Sequence, residues 1–234
     1  MRFAGADDGY EDADFVVAGV PLDATASFRK GTRFAPARVR EASRSFETYV
    51  RDADTDVRDL NVHDYGDLDA WTDSKETVEF AAAEVEGFVR DRKVPVLVGG
   101  EHTVSVAGFR GTDASAVVVF DAHLDLKDEF EGTAYSHACV ARRAVEDGRD
   151  VCVVGAREGS HEEWEFADKN DDVTVLGFDE FDATGFDAPY VSVDLDVLDP
   201  GYAPGVGTPV PCGASPDVLH DSVRELAPDA AGFD

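Results

Sequence analysis

One stretch of the chain, AVVVFDAHLD (116–125), constrains the fold more than any other. It opens with an apolar, mostly β-branched run, Ala116–Phe120, which is typical of a strand buried on both faces of a parallel sheet. Asp121, His123 and Asp125 then follow at alternate positions. Because side chains two residues apart in an extended chain point the same way, we expect these three to converge at the carboxyl end of the strand. Open α/β sheets bind their ligands at that end.

Two further apolar segments end in residues that can bind metal ions. The segment YVSVDLD (190–196) carries Asp194 and Asp196, again two positions apart, and the strand-like run 94–98 leads into Gly99-Gly100-Glu101-His102. Carboxylates that are buried close together with imidazoles repel one another and lose their hydration at a high cost in free energy, unless a cation lies between them. The sequence therefore predicts a two-metal hydrolytic centre, to which three strand ends contribute ligands.

Apolar strand-like runs alternate with helical patterns along the whole chain. Strands are predicted at residues 15–20, 57–62, 94–98, 116–120, 151–155, 173–177 and 190–196, and helices at about 36–49, 72–92, 101–109, 136–147, 162–169 and 215–226. This alternation predicts an α/β fold, with one parallel sheet covered by helices on both faces. The length of 234 residues suits a single domain, 1–234, and 231–234 has the pattern of the first residues of another strand.

The composition excludes several classes of partner. The chain has 50 acidic and 21 basic residues, a net charge of −29, which argues against binding to nucleic acid or to an anionic membrane surface. It contains no apolar run long enough to span a bilayer, and its three cysteines show no CxxC spacing. These features predict a cytoplasmic protein, and the scarcity of lysine among so many acids indicates a salt-loving organism. Close aspartate pairs also arise by chance in so acidic a chain, so the chosen ones are distinguished by the apolar strand before each pair and by the histidine among them.

Four motifs together resemble those of the ureohydrolases, the family of arginases, agmatinases and their relatives. They are GGEHT (99–103), DAHLD (121–125), YSH (135–137) and SVDLDVLDP (192–200), and GVPLD…GTRFAP near the N-terminus accompanies them. The match runs over nearly the whole chain in the order of the family. It implies a three-layer α/β/α fold with a mostly parallel central sheet, arginase-like, and a binuclear manganese centre.

The resemblance also implies the ligands of two Mn²⁺ ions. It assigns His102, Asp121, Asp125 and Asp194 to one ion, and Asp121, His123, Asp194 and Asp196 to the other, so that Asp121 and Asp194 bridge the pair. Carboxylates and imidazoles without a thiolate suit Mn²⁺ better than a structural zinc ion. Two such ions can share one water molecule, lower its pKa and present hydroxide to a guanidinium carbon.

His137, in the YSH motif, is the candidate for proton transfer to the leaving nitrogen, because imidazole titrates in the required range. The GGEHT and YSHA forms are similar to the agmatinase branch. Acidic residues in the loop after Asp125, namely Asp128, Glu129 and Glu131, favour a substrate with an aminoalkyl tail. We therefore expect a small cationic guanidino substrate, with agmatine hydrolysed to putrescine and urea.

Several alternatives remain open at this stage. The chain could act on guanidinobutyrate or formiminoglutamate, or it could be an inactive metal-binding fragment; a single-zinc deacetylase is disfavoured because His102 supplies a ligand to a second ion. In the family, the strand that begins with GFD (232–234) continues to a glutamate that holds the guanidinium and then to a final helix. Neither lies within 1–234, so the resemblance predicts a truncated chain that lacks its last strand and helix. It also implies a homo-oligomer, a trimer or hexamer.

Overall fold

The fold is built around a parallel sheet, and the computed structural model describes residues 1–234 without a gap. The strands are β1 Phe15–Val20, β2 Tyr49–Val50, β3 Thr55–Asp56, β4 Val62–Asp67, β5 Val94–Gly99, β6 Ala116–Phe120, β7 Asp150–Val154, β8 Val173–Leu176, β9 Tyr190–Val193 and β10 Gly232–Phe233. The helices are α1 Ala35–Ser43, α2 Ser74–Arg90, α3 Val104–Thr112, α4 Val140–Glu146, α5 His161–Lys169 and α6 Pro216–Leu226. Eight strands form the main sheet in the order β4-β1-β5-β10-β9-β6-β7-β8, and every neighbouring pair in it is parallel.

Helices cover both faces of this sheet, as the central strand β6 shows. Val117 and Val119 point into a core shared with α2, α3 and α4. Val118 and Phe120 point to the opposite face, where they share a second core with Leu219 of α6. All five residues of the strand are buried, which explains why its sequence is uniformly apolar.

The predicted α/β fold with a mostly parallel central sheet is confirmed. The strands β1 and β6 have the predicted bounds, and β5, β7 and β8 agree to within one residue. The strand predicted to begin near residue 231 forms as β10, and it lies inside the sheet between β5 and β9. None of the helices combines the length and the apolar character needed to cross a bilayer.

Two predicted elements in the first third of the chain are wrong. The helix expected over 36–49 ends at Ser43, and the residues after it lead into a small antiparallel pair, β2 with β3. The strand expected over 57–62 starts only at Val62, because Val57–Asp59 forms a 3-10 turn that the Asp56 side chain caps. The observed strand, β4, carries a buried aspartate at an inward position. Because a charged residue stands where an apolar one is expected, the sequence does not show the alternation of apolar and polar residues that predicts a strand.

The glycine pair before the metal-ligand candidate His102 lets two backbone segments touch. A Cβ atom on Gly100 would lie 1.9 Å from the carbonyl oxygen of Leu22, so only glycine fits there. The backbone N–H of Glu101 donates to the same carbonyl, at 2.8 Å. The turn therefore lies directly against the loop that follows β1, and this contact brings that loop to the carboxyl edge of the sheet.

Candidate metal centre

The carboxyl ends of β5, β6 and β9 bring together the side chains predicted to bind metal. His102 lies in the turn between β5 and α3, Asp121 directly follows β6, and Asp194 directly follows β9. Because all three strands are parallel and near one another in the sheet, their ends meet at the same edge. This is the position where ligands bind in open α/β sheets.

A first group of metal-competent atoms surrounds Nδ1 of His102. This nitrogen lies 2.8 Å from Oδ2 of Asp125, 3.0 Å from Oδ2 of Asp121 and 3.9 Å from Oδ2 of Asp194. The His102 side chain is buried. The ligand atoms of His102, Asp121 and Asp194 all lie within 4.8 Å of one another, as a common cation would require.

A second group surrounds Nδ1 of His123. This nitrogen lies 3.2 Å from Oδ2 of Asp196 and 3.3 Å from Oδ1 of Asp121. The two groups therefore share Asp121, which turns one carboxylate oxygen to each. Asp194 belongs only to the first of these groups, so the bridging role that the resemblance implies for it remains a prediction.

The metal-ligand candidates are brought together by turns that follow the strands. The alternation of side chains along an extended strand does not produce this arrangement. The strand β6 ends at Phe120, and Asp125 adopts a left-handed backbone conformation with φ +50°. The Asp121 carboxylate accepts a hydrogen bond from the backbone N–H of His123, at 2.7 Å. Asp196 likewise lies on a 3-10 turn, Leu195–Val197, which the Asp194 side chain caps. The expectation of an extended chain through these residues was wrong, although the side chains do meet.

The charges within the centre perturb one another strongly. Burial and the neighbouring Asp121 charge raise the pKa of Asp125 to about 6. Burial, followed by the charges of Asp196 and Asp121, raises the pKa of Asp194 well above its usual range. Burial also opposes ionisation of Asp121, but the neighbouring imidazoles of His102 and His123 outweigh it and hold that pKa below the usual range. Such crowding of carboxylates is typical of a site that gathers positive charge.

The donor set fits hard to borderline divalent cations. Oδ2 of Asp121 is fully buried and makes no hydrogen bond, and such an orphaned buried oxygen is costly unless a cation binds it. Both imidazoles face the carboxylates through Nδ1, and none of the three cysteines contributes to either group. Oxygen and imidazole ligands without sulfur suit Mn²⁺.

Two cavities open onto the centre and share part of their lining. One has a volume of about 570 Å³ and lies between the loop after β1, the ends of β5 and β9, and residues 203–208. The other has a volume of about 350 Å³ and is lined by Phe130, Glu158 and Ser160 among others. His137 lines both cavities. Both volumes are in the range of small-molecule sites.

His137 lies at the start of a 3-10 turn, His137–Cys139, beside the metal-ligand candidates. Burial and the positive charges of His102 and His123 lower the pKa of His137. The ring makes an edge-on contact with Phe130, at 5.7 Å between centroids. A half-buried imidazole that stays neutral near pH 7 can accept a proton during a reaction.

Arg157 is a residue of this site that sequence reasoning missed. Its guanidinium donates to the backbone carbonyl oxygens of Gly155, Asp196, Val197, Val210 and Pro211, at 2.8 to 3.2 Å. These bonds tie the loop 199–213 to the turn that carries Asp196. Because every partner is a backbone oxygen, no residue pattern in the sequence reveals the contact.

Comparisons with known proteins agree with this fold. A family model described as "Arginase family" matches residues 13–234. The chain is 36% identical to the agmatinase of Pyrococcus horikoshii, covering 96% of this chain and 83% of that protein. It is 35% identical to the N(1)-aminopropylagmatine ureohydrolase of Thermococcus kodakarensis, covering 96% of this chain and 82% of that one. Among solved structures, the agmatine ureohydrolase of Thermoplasma volcanium superposes with a TM-score of 0.90 at 32% identity, over 100% of this chain and 84% of that one.

Proposed function

Because this chain belongs to the arginase family and is a hydrolase that acts on guanidino compounds, we propose that it hydrolyses agmatine, or a close analogue, to urea and an amine. In this proposal residues 1–234 belong to a single catalytic domain. The observation that carries the proposal is the pair of metal-competent groups that share Asp121 at the meeting point of two cavities. Relatives named agmatinases at 32 to 36% identity supply the substrate class.

Two Mn²⁺ ions are the proposed cofactors, and the arginase-family fold is known to hold a binuclear metal site. The residues proposed to hold them are His102, Asp121, His123, Asp125, Asp194 and Asp196. When bound, such ions supply Lewis acidity that lowers the pKa of a shared water molecule. The buried, unpaired Oδ2 of Asp121 supports this ligand set.

In this proposal His137 moves the proton. The oxygen of the attacking water forms a bond to the guanidinium carbon, and the bond from that carbon to the substituted nitrogen then breaks. The lowered pKa of His137 leaves the imidazole neutral near pH 7, so that it can take up the proton the water loses and deliver it to the leaving nitrogen. The second proton of the water is released as the carbonyl of urea forms, so the products are urea and the amine, which binds this proton as an ammonium group.

A cationic substrate tail is the second part of the proposal. Glu158 lines the smaller cavity with an exposed carboxylate, and Glu129 is exposed in the neighbouring loop. A terminal ammonium group is attracted by these charges, whereas a terminal carboxylate is repelled. We therefore rank agmatine and N(1)-aminopropylagmatine above 4-guanidinobutyrate and formiminoglutamate.

The test is an assay of urea and amine release by the Mn²⁺-loaded protein with each of these substrates. Asp194→Asn should lower kcat/KM at least about 100-fold, because loss even of a residue that supports a ligand costs 10- to 100-fold. Asp221→Asn is the matched control, since Asp221 is an exposed aspartate on α6 whose side chain is 77% exposed. Tight Mn²⁺ binding without release of urea or formamide from any substrate would show a metal-binding protein without this activity. That result would overturn the proposal.

A further inference from the structure

The loop that follows β1 carries a threonine that contacts the proposed proton carrier. Thr25 Oγ1 accepts a hydrogen bond from the backbone N–H of His137, at 3.1 Å, and lies 3.4 Å from Nδ1 of the same ring. Asp23 holds this loop closed by accepting hydrogen bonds from the backbone N–H of Gly31 and from the guanidinium of Arg33, both at 2.9 Å. The loop is thus a folded structure, and its contact with His137 is part of that structure.

A buried carboxylate fixes the orientation of the threonine hydroxyl. Glu101 is 6% exposed, and it belongs to neither metal-competent group. It accepts hydrogen bonds from Thr25 Oγ1 at 2.6 Å, from Thr25 N at 3.0 Å and from Thr103 Oγ1 at 3.0 Å. Because these donors converge on it, the short contact with Thr25 Oγ1 is a hydroxyl donating to a carboxylate.

This arrangement determines which ring nitrogen of His137 bears the hydrogen. A hydroxyl has one hydrogen to donate and two lone pairs with which to accept. The hydrogen of Thr25 is directed at Glu101, so its oxygen can only accept from the ring. A hydrogen bond between the ring and Thr25 therefore requires the hydrogen of the neutral imidazole on Nδ1, and Ser136 Oγ, 3.3 Å from the same nitrogen, can share that hydrogen as an acceptor. The lone pair is then on Nε2, which lies 3.4 Å from Ser27 Oγ, on the side where Ser27 and His137 line both cavities.

We propose that Thr25 and Glu101 are positioning residues that fix the neutral tautomer of His137 with Nε2 free to exchange a proton with the substrate. The inference rests on the proposed role of His137. It also gives a purpose to the first residues of the long loop after β1 and to the glutamate of the GGEHT motif. Gly100 makes the arrangement possible, because only glycine lets the loop come close enough to the turn for Glu101 to reach Thr25.

The experiment compares two substitutions of the same shape. Thr25→Val and Thr103→Val each remove a hydroxyl that donates to Glu101, but only Thr25 contacts His137. Thr25→Val should lower kcat about 10- to 100-fold, a large part of what a general acid or base supplies, with KM for agmatine changed less than about threefold. Thr103→Val should change kcat less than about threefold. Thr25→Ser, which restores the hydroxyl, should recover most of the lost kcat.

A second readout does not depend on activity. Long-range ¹H–¹⁵N NMR of the protein loaded with diamagnetic Mg²⁺ should show His137 as the Nδ1–H tautomer in the native chain, and as a mixture in Thr25→Val. An Nε2–H tautomer in the native chain, equal kcat losses in Thr25→Val and Thr103→Val, or no recovery in Thr25→Ser would each overturn the inference.

Failure of the proposed function is distinguishable from failure of this inference. If the native chain releases no urea, or if His137→Asn keeps native kcat, the proposed function or the role of His137 is wrong. Either result also removes the basis of the inference. If native activity is high and His137→Asn is inactive, the threonine variants test the inference alone.

Discussion

Ser192 lies behind the ring of His102, on the side away from the carboxylates. Its hydroxyl donates to Asp234 Oδ1 at 2.9 Å and lies 3.1 Å from Nε2 of His102. Since the hydroxyl hydrogen goes to the aspartate, Nε2–H of His102 donates to Ser192, and Nδ1, which faces Asp121 and Asp125, is the nitrogen available to bind a metal ion. Carboxylate and hydroxyl partners of this kind orient metal-binding histidines and raise their basicity.

Ser192→Ala should therefore weaken Mn²⁺ binding about 10- to 100-fold, the usual cost of losing a partner that supports a ligand. The affinity is measured by isothermal titration of the metal-free protein. Ser222→Ala is the control, because Ser222 is a buried serine that only bonds within α6, to Val218 O at 3.0 Å. Equal affinities in the two variants would show that Ser192 does not support a ligand.

At the scale of secondary-structure elements, α1 and β4 are joined by a buried ion pair. Arg40 on α1 donates to both oxygens of Asp64 on β4, at 2.8 and 2.9 Å, and their side chains are 5% and 1% exposed. The backbone N–H groups of Phe3 and Gly66 also donate to this carboxylate. Removal of one partner from a buried pair costs about 3–5 kcal/mol, and the Arg40 guanidinium would retain only its ion pair with Asp67, whose side chain is 42% exposed. We expect Asp64→Asn to lower the free energy of unfolding by about that amount, measured by urea denaturation.

The same pair predicts how stability depends on pH. Burial raises the pKa of Asp64, but the hydrogen bonds from Arg40, Phe3 and Gly66 outweigh it, so the folded pKa is below the usual value of 3.8. The unfolded state then binds more protons in acid. Stability from this group is complete above about pH 4 and is lost as the pH falls toward the folded pKa. Between pH 5 and pH 3, Asp64→Asn should lose less stability than the native chain does, and an identical slope would contradict this account.

The elements that could be predicted from the sequence are those whose buried positions are occupied by apolar residues. β6 and β1 are continuous apolar runs, and both were predicted at their bounds. β4 was misplaced because its stability depends on Asp64, whose partner Arg40 is 24 residues away. Pairing at that distance along the chain leaves no local periodicity.

The residues of the candidate site also fall into those that could be predicted from the sequence and those that could not. Residues that directly follow apolar strands, such as Asp121 and Asp194, were predictable because parallel strands end at one edge of the sheet. Thr25, Arg157 and Ser192 were not, since each acts through a hydrogen bond to a distant segment. The turn geometry of Asp125, with its positive φ, was also beyond a prediction that assumed an extended chain.

At the scale of the whole molecule, the net charge of −29 sets the electrostatic environment of the site. The excess of acidic groups surrounds a centre that itself concentrates carboxylates, so cations of any kind are attracted to it. The same excess makes the folded chain repel itself, and the homo-oligomer implied by the resemblance, which remains a prediction, would add to that repulsion.

Salt should therefore stabilise this protein by screening its charge. The Debye length falls from about 10 Å at 0.1 M salt to about 3 Å at 1 M, so repulsion among the exposed carboxylates weakens over that range. Relief of about 2 kcal/mol would raise Tm by about 4–8 °C for a chain of this size. Thermal unfolding of the metal-free protein in NaCl and in KCl measures the effect. If screening is the cause, Tm should rise with salt concentration equally in NaCl and KCl and level off near 1 M. A Tm that does not change would contradict this account. So would a Tm that rises linearly well beyond 1 M and differs between the two salts.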